Sequence, residues 1–564
     1  MRGAGFTCYA LPAKVQLCVP ACNRHIGWLI ATDGRSLAIP GEETQGIAIP
    51  VRLEHGEPAG MVKLQHSLRR RHYLGLHGNP SELGFRNKMQ EFRLDPIDAT
   101  PAIVDIAAEL TAAVQTPATW MAILDALRSH LLRSELADAS LRCLPPDEVD
   151  ALARHLLEDP HDLAMLQAAM RGDPWLQQRL PLLISWRQPQ TPARILGPVS
   201  TADLPGAKAN PSHRITLGLT LNAYARAATR PQRMACILAT ARNEGAYLIE
   251  WIAYHRAIGF DHIFLYTNDN TDGSDDLLQL LADAGVISWF RNQVQPDTLP
   301  QHRAYGHALS VMPEILDYRW TMIADIDEFA GFDTSAFGSM PDYILWQEQR
   351  RAEAIALSWK LYVASPNDVW RDRPSIERFT LREAALDAHV KMIFRTNMAW
   401  NANPHHPEPR LGASLIYRSE RGEPYVQKVT PAQSAAPSAK YAWISHYAFR
   451  SAPEMLMKLA RGRADLPGEV QSIAWTNRIK TFLRQIGDPG LIEDRSTLLC
   501  GAKLVDEQRR LLTIPGVAAC ETDIKHKYQA SMLQTCNEFI ETIAGGKSAC
   551  LSDIKKILRP SQAA

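Results

Sequence analysis

The middle of the chain predicts an α/β fold, a mixed and mostly parallel sheet with helices on both faces. Three observations carry this. From about residue 233, strand-like apolar runs alternate with helix-like segments: MACILATA, YLIEWIAYHRAIG, HIFLYTN, DDLLQLLADAG, VISWF, LPQHRAYGHALSVMPEIL and WTMIADID. That rhythm is the one crossover-connected parallel strands require. MACILATA is apolar without alternation, as in a strand buried on both faces. The polar clusters Arg242-Asn243-Glu244, Asn268-Asp269 and Asp325-Ile326-Asp327 each follow a strand. They fall at the carboxyl ends of the strands, where open α/β sheets bind ligands.

The elements before this core differ in character. Residues 1–95 read as a β-rich domain, with VQLCV, IGWLIAT, IAIPVRL and MVKLQ broken by Asp33-Gly34, Pro40-Gly41 and Gly56; a small sandwich or barrel fits that pattern. RRRH at 69–72 reads as a solvated basic face. Residues 98–190 have apolar positions at three- and four-residue spacing and read as a helical module. Residues 191–230, opening on a Pro-, Gly- and Ser/Thr-rich stretch, read as a linker. The core domain spans 231–465, and 466–564 reads as a C-terminal helical region.

Composition narrows the function classes. The chain has 564 residues, with 61 basic and 61 acidic side chains and no formal net charge. That balance gives no support to a general nucleic-acid surface. No apolar run reaches the ~18 residues of a membrane span, and the first residues make a poor signal peptide. A cytoplasmic protein, in some states peripheral at a membrane, is the expectation. The nine cysteines are odd in number and scattered. Cys18 and Cys22 have no second pair at zinc-ligand spacing, so they read as reduced structural thiols.

Within the core domain, YLIEWIAYHRAIG is a helix stopped by Gly259, and Asp275 and Asp276 sit in the first turn of the next helix. The strand WTMIADID ends in the acidic pair. In an extended chain Asp325 and Asp327 share a face, and Ile326 points the other way. Two adjacent carboxylates repel each other unless a cation or a shared proton intervenes, and their oxygens suit Mg²⁺ or Mn²⁺ holding substrate phosphates. Glu250, Trp251 and His255 read as helix-packing residues. Asp272 reads equally as a helix cap and as a pocket residue. Arg303 and Lys391 are phosphate-binding candidates or salt-bridged cations.

The stretch ARNEGAYLIEWIAYHRAIGFDHIFLYTNDNTDGSDDLL resembles the opening of the glycosyltransferase family 2-like group of the GT-A fold, which is related to glycosyltransferase family 92. IADIDEF looks like its metal motif. ERFTLR, HVKMIFR, NPHHP and ISHYAFRS, then Lys458 and Arg461-Gly462, resemble its distal blocks in order, so the likeness covers about 233–463. It implies a metal-dependent glycosyltransferase that uses a nucleotide-sugar donor, with a UDP-sugar expected, and an unspecified glycan, lipid-linked or protein acceptor. Carried over by residue, Arg242, Asn243 and Glu244 line the base and ribose. Asn268, Asp269 and Asp272 close the nucleotide pocket, Asp325 approaches ribose or metal, Asp327 binds Mn²⁺ or Mg²⁺, and His446 is a late metal or phosphate contact. An acceptor base is required if the reaction inverts; Glu328, His405 and His406 are the candidates. The chain departs from the family at SWKLYVAS (358–365), which lacks the usual glycine, and in its Asn268-Asp269 order. Two other readings remain: a nucleotidyltransferase, for which the loop after MACILATA is a poor phosphate cradle, and an inactive transferase domain that binds glycans or partners.

Overall fold

The structure, a computed structural model, describes residues 6–12, 14–21, 25–37, 47–55, 61–66, 73–77, 79–86, 91–94, 96–114, 119–173, 175–186, 217–292, 299–365, 368–410, 414–461, 471–486 and 488–545. The basic run at 69–72, Cys22, Gly462 and the Pro/Gly-rich stretch at 188–212 lie outside them. The chain divides into two compact units near residue 229.

In the first unit the described strands join one nine-stranded sheet. Every pairing is antiparallel. Successive strands turn back onto their own neighbours, as a β-rich domain requires. Its core is aliphatic, with Leu17, Leu29, Val51 and Leu64 among its members. Helices follow from Pro101–Ala113 onward. A further helix, Leu217–Ala228, falls inside the segment read as linker.

The second unit opens with β1 (Arg233–Ala241), α1 (Gly245–Ala257), β2 (His262–Thr267), α2 (Ser274–Asp283), β3 (Ser288–Arg291), α3 (Pro300–Gly306) and β4 (Tyr318–Ile323). Their order is that of the apolar runs in the sequence. β1 is central, parallel to β2 and to β4, and β3 runs parallel to β2. Its register sets Ala241 beside Thr267 and Leu238 beside Ile323. The strand exits at Arg242, Asn268 and Ala324 thus share one edge, which is how the site is assembled.

Past β4 the pairing becomes mixed, parallel and antiparallel. β5 (Glu328–Phe332), α4 (Met340–Glu348), β6 (Ala354–Val363), β7 (Leu381–Arg382), β8 (Asp387–Arg395), β9 (Ala399–Ala402), β10 (Pro407–Pro409), β11 (Tyr417–Ser419) and β12 (Ala442–His446) follow. β8 is antiparallel to both β4 and β6, and β5 is antiparallel to β12. The sheet is therefore mixed rather than mostly parallel. Few of these strands are joined by a crossover helix, and without one a chain returns antiparallel.

The C-terminal segments are α5 (Ala452–Ala460), α6 (Gln471–Ile486), β13 (Ile492–Glu493), α7 (Gly501–Leu512) and α8 (Val517–Gly545). They do not form a separate body. Leu504, Leu511, Val517 and Ile524 belong to the same core as β1 and α1, and Arg256 of α1 pairs with Glu507 at 2.6 Å. α1 is consequently buried on nearly all sides, which suits its lack of a clear polar face.

Three α1 side chains lock the helix to β5. Trp251 Nε1 donates to the Glu328 carbonyl and Tyr254 Oη to the Ala330 carbonyl, both at 2.9 Å. His255 keeps Nδ1 on the Trp251 carbonyl at 2.9 Å and accepts from the Ala330 N–H of β5 through Nε2 at 3.4 Å. Burial pushes His255 down to about 3, and it does the same to His262. Both are neutral in the fold and titrate near 6.5 when unfolded. The unfolded chain therefore takes up the extra protons as pH falls. The stability these groups confer is complete above ~6.5 and declines toward pH 3, with a slope of up to ~1.4 kcal/mol per pH unit for each group. Urea midpoints should drop between pH 7 and 5, and His255→Gln should flatten that slope.

Candidate functional site

A cavity of about 240 Å³ opens at the shared strand edge. Arg242, Glu244, Asn268, Asp325, Asp327, His405 and His446 all line it, with Gln301, Trp359, Lys458, Arg461 and Arg478 among the others. The three polar clusters that follow separate strands thus meet in one place.

The acidic motif does not have the geometry of an extended chain. Residues 324–327 form a turn between β4 and β5, so pleat alternation does not explain why the two aspartates converge. Each is instead held by its own lysine. Asp325 Oδ2 pairs with Lys391 Nζ at 2.9 Å, and Asp327 Oδ2 contacts Lys458 Nζ. His446 Nε2 lies 3.6 Å from the same Asp327 oxygen. Lys458, His446 and Arg450 hold the Asp327 carboxyl well below its usual range against the opposing effect of burial.

Lys391 has no exposed side chain and also pairs with Glu328 at 3.0 Å, so it is a buried salt-bridged cation and not a surface one. Arg303 is buried too, 3% exposed, and does not line the cavity. Glu328 accepts from the Asp325 backbone N–H at 3.0 Å, and its Oε1 has no hydrogen-bond partner. Burial first, then Asp325 and Asp327, push Glu328 up to about 7. Glu328 lies outside the cavity lining and braces the turn from beneath, so it is not placed to take an acceptor proton.

His406 does not line the cavity either. Its nitrogens face the Asn403 amide at 2.6 Å and the Pro407 carbonyl at 3.1 Å. His405 does line it. Its Nδ1 lies 3.0 Å from the Val390 carbonyl, and because a carbonyl only accepts, Nδ1 carries the proton and Nε2 is the basic nitrogen. Burial, with Lys391 adding, lowers His405 to about 4.

The loop after β1 is shaped from below. Arg461 donates to the Arg242 and Asn243 carbonyls at 3.0 and 3.1 Å, and it pairs with Glu244. Asn243 has φ +51°. Its amide accepts from the Thr271 N–H at 2.7 Å and donates to the Thr271 hydroxyl at 3.1 Å. Asp272 accepts from the Gly245 and Ser274 N–H groups at 2.8 and 3.0 Å. Asn243 and Asp272 therefore tie the two loops and the two helix starts together and are absent from this cavity's lining. Asp269 is exposed, with its carboxylate 3.1 Å from the Asn268 amide. It does not line the cavity.

Sequence reasoning missed Gln301 and Arg478, which lie on helices without a motif. It noted Trp359 only as part of the departing stretch. Here the β6–β8 register shifts between Ser358 and Trp359, a bulge of the kind that re-aims a side chain. The Trp359 ring sits 4.3 Å from that of His446 and 5.4 Å from that of His405.

For a metal, the carboxylate and imidazole donors are chemically suitable. Asp327 and His446 could offer such an ion two ligand atoms. Among the described residues, only His155, Asp159 and Asp162 of the first unit bring three ligand atoms together. Those are otherwise engaged, Asp162 with Arg128 and His155, and Asp159 as a helix cap.

Residues 234–430 match the protein-family model Glycosyltransferase family 92. This stretch of the chain is related to glycosyltransferase family 92. A family 92 protein of Ricinus communis is 31% identical over 100 residues, covering 18% of this chain and 17% of that one. One of Arabidopsis thaliana is 27% identical over 106 residues, covering 19% and 18%. The chain therefore aligns with less than a fifth of the length of these relatives. A solved structure, HddC from Yersinia pseudotuberculosis, aligns over 33% of this chain and 89% of its own at 10% identity and a TM-score of 0.19, a level that carries no argument. The family match ends before His446, Lys458, Arg461 and Arg478, so three of the four Lys and Arg side chains lining the cavity lie outside it.

Proposed function

We propose that residues 231–465 are a GT-A-type glycosyltransferase domain that moves a sugar from a nucleotide donor, a UDP-sugar, to an acceptor hydroxyl. The convergence of Arg242, Asn268, Asp325, Asp327 and His446 with Lys458, Arg461 and Arg478 around one cavity supports this reading most strongly. Asp325, paired with Lys391, accepts from a ribose hydroxyl. Lys458, Arg461 and Arg478 are the cations facing the negative charge that grows on a departing diphosphate. Asp327 and His446 would hold Mn²⁺ or Mg²⁺, which supplies Lewis-acid stabilisation when bound. His405 Nε2 takes the acceptor proton. The acceptor is a glycan, lipid-linked or protein hydroxyl.

The test is a donor screen for nucleotide release, with and without Mn²⁺. Wild type should release nucleotide, and Asp327→Asn should lower turnover by roughly 10²-fold. Metal-independent turnover that this substitution leaves unchanged would remove the proposal.

A further inference from the structure

Two lysines hold the two aspartates, but they are held differently. Lys391 is fully buried between two carboxylates. Lys458 has one carboxylate, Asp327, and the Ala448 carbonyl at 2.9 Å. Its side chain is 21% exposed. It stands in the cavity wall beside Arg461 and Arg478, and also in the wall of a neighbouring cavity of about 440 Å³. Lys391 is a buried brace, whereas Lys458 is a partly exposed ammonium that borders both cavities.

We infer that Lys458 is an exchangeable cation. It neutralises Asp327 while the cavity holds no donor, and it moves to the donor diphosphate when a divalent ion takes the carboxylate, an assignment that rests on the donor reading above. An ammonium and a divalent ion on one carboxylate oxygen repel each other, so Lys458 opposes metal binding to the free protein. A diphosphate is the stronger acceptor for an ammonium and draws Lys458 away. Metal and nucleoside diphosphate then bind cooperatively, and by linkage each tightens the other equally.

The experiment measures Mn²⁺ binding without nucleotide by electron paramagnetic resonance, and UDP binding without metal by calorimetry, for wild type and Lys458→Met. The variant should bind Mn²⁺ alone roughly tenfold more tightly and UDP alone roughly tenfold more weakly. A merely structural role weakens both, and that result overturns the exchange, as does an unchanged Mn²⁺ affinity. If circular dichroism shows Lys458→Met unfolded, wild type decides: UDP must tighten Mn²⁺ by roughly tenfold or more, and its failure to do so overturns the exchange. Metal-coupled UDP binding in wild type without the opposed shifts in the variant sinks the exchange alone. UDP bound by neither protein sinks the donor reading with it.

Discussion

His405→Gln is expected to lower kcat by roughly 10²–10⁴-fold, with donor KM nearly unchanged. The side chain lines the cavity, and its Nδ1 proton is committed to the Val390 carbonyl. Nε2 is thus the lone pair available to an acceptor hydroxyl, and glutamine keeps the approximate shape without that basicity. The pH profile gives a second check. His405 is lowered to about 4, so the base form dominates at all higher pH. The acid limb of kcat/KM should fall near 4 rather than near 6.5, and His405→Gln should abolish it. His406→Gln is the control. Its ring faces Asn403 and the Pro407 carbonyl, and its loss should leave kcat within a few-fold. Transfer that survives His405→Gln at the wild-type rate would remove this histidine from the reaction.

Lys391→Met should destabilise the fold by roughly 3–5 kcal/mol, because it strands buried carboxylate charge. Asp325 and Glu328 both lose their counter-ion, at 2.9 and 3.0 Å. Glu328 then has only the Asp325 N–H on one oxygen and nothing on the other. Urea unfolding at pH 7 measures the loss. Lys391→Met with Glu328→Gln should recover part of it, since the buried charge is gone, and the double-mutant cycle gives the coupling. The sign with pH follows from Glu328, which is raised to about 7. Its folded form binds a proton more readily than its unfolded form. This group therefore favours the fold at low pH, and that contribution is lost as pH rises through about 7. In the variant, where no ammonium opposes the shift, destabilisation should be larger at pH 8 than at pH 6. A cost below about 1 kcal/mol would mean the pair is solvated like a surface ion pair.

The core domain was legible where local chemistry and tertiary role coincide. Apolar runs of strand length marked β1 to β4, and residues from the polar clusters at their ends line one cavity, because parallel strands with crossover helices leave few topologies. The mixed half was misread as mostly parallel, since a strand's own sequence does not state its partner's direction. Asn243, read as a nucleotide contact, and Asp272, read equally as a helix cap, spend polar atoms within the fold and line the neighbouring cavity of about 440 Å³ instead. The choice among Glu328, His405 and His406 was open because all three are titratable and near the motif; burial and hydrogen-bond partners separate them.

The sequence by itself determined the strand–helix rhythm, the family likeness and the identity of the acidic pair, all of which are written in contiguous residues. The tertiary structure alone decided which cations meet those acids. Lys391 and Lys458 lie 66 and 131 residues away along the chain. No local pattern links such distant residues, so their pairing is set by sheet register and by helix docking on the core. Burial then strengthens each ion pair and makes each unpaired charge costly.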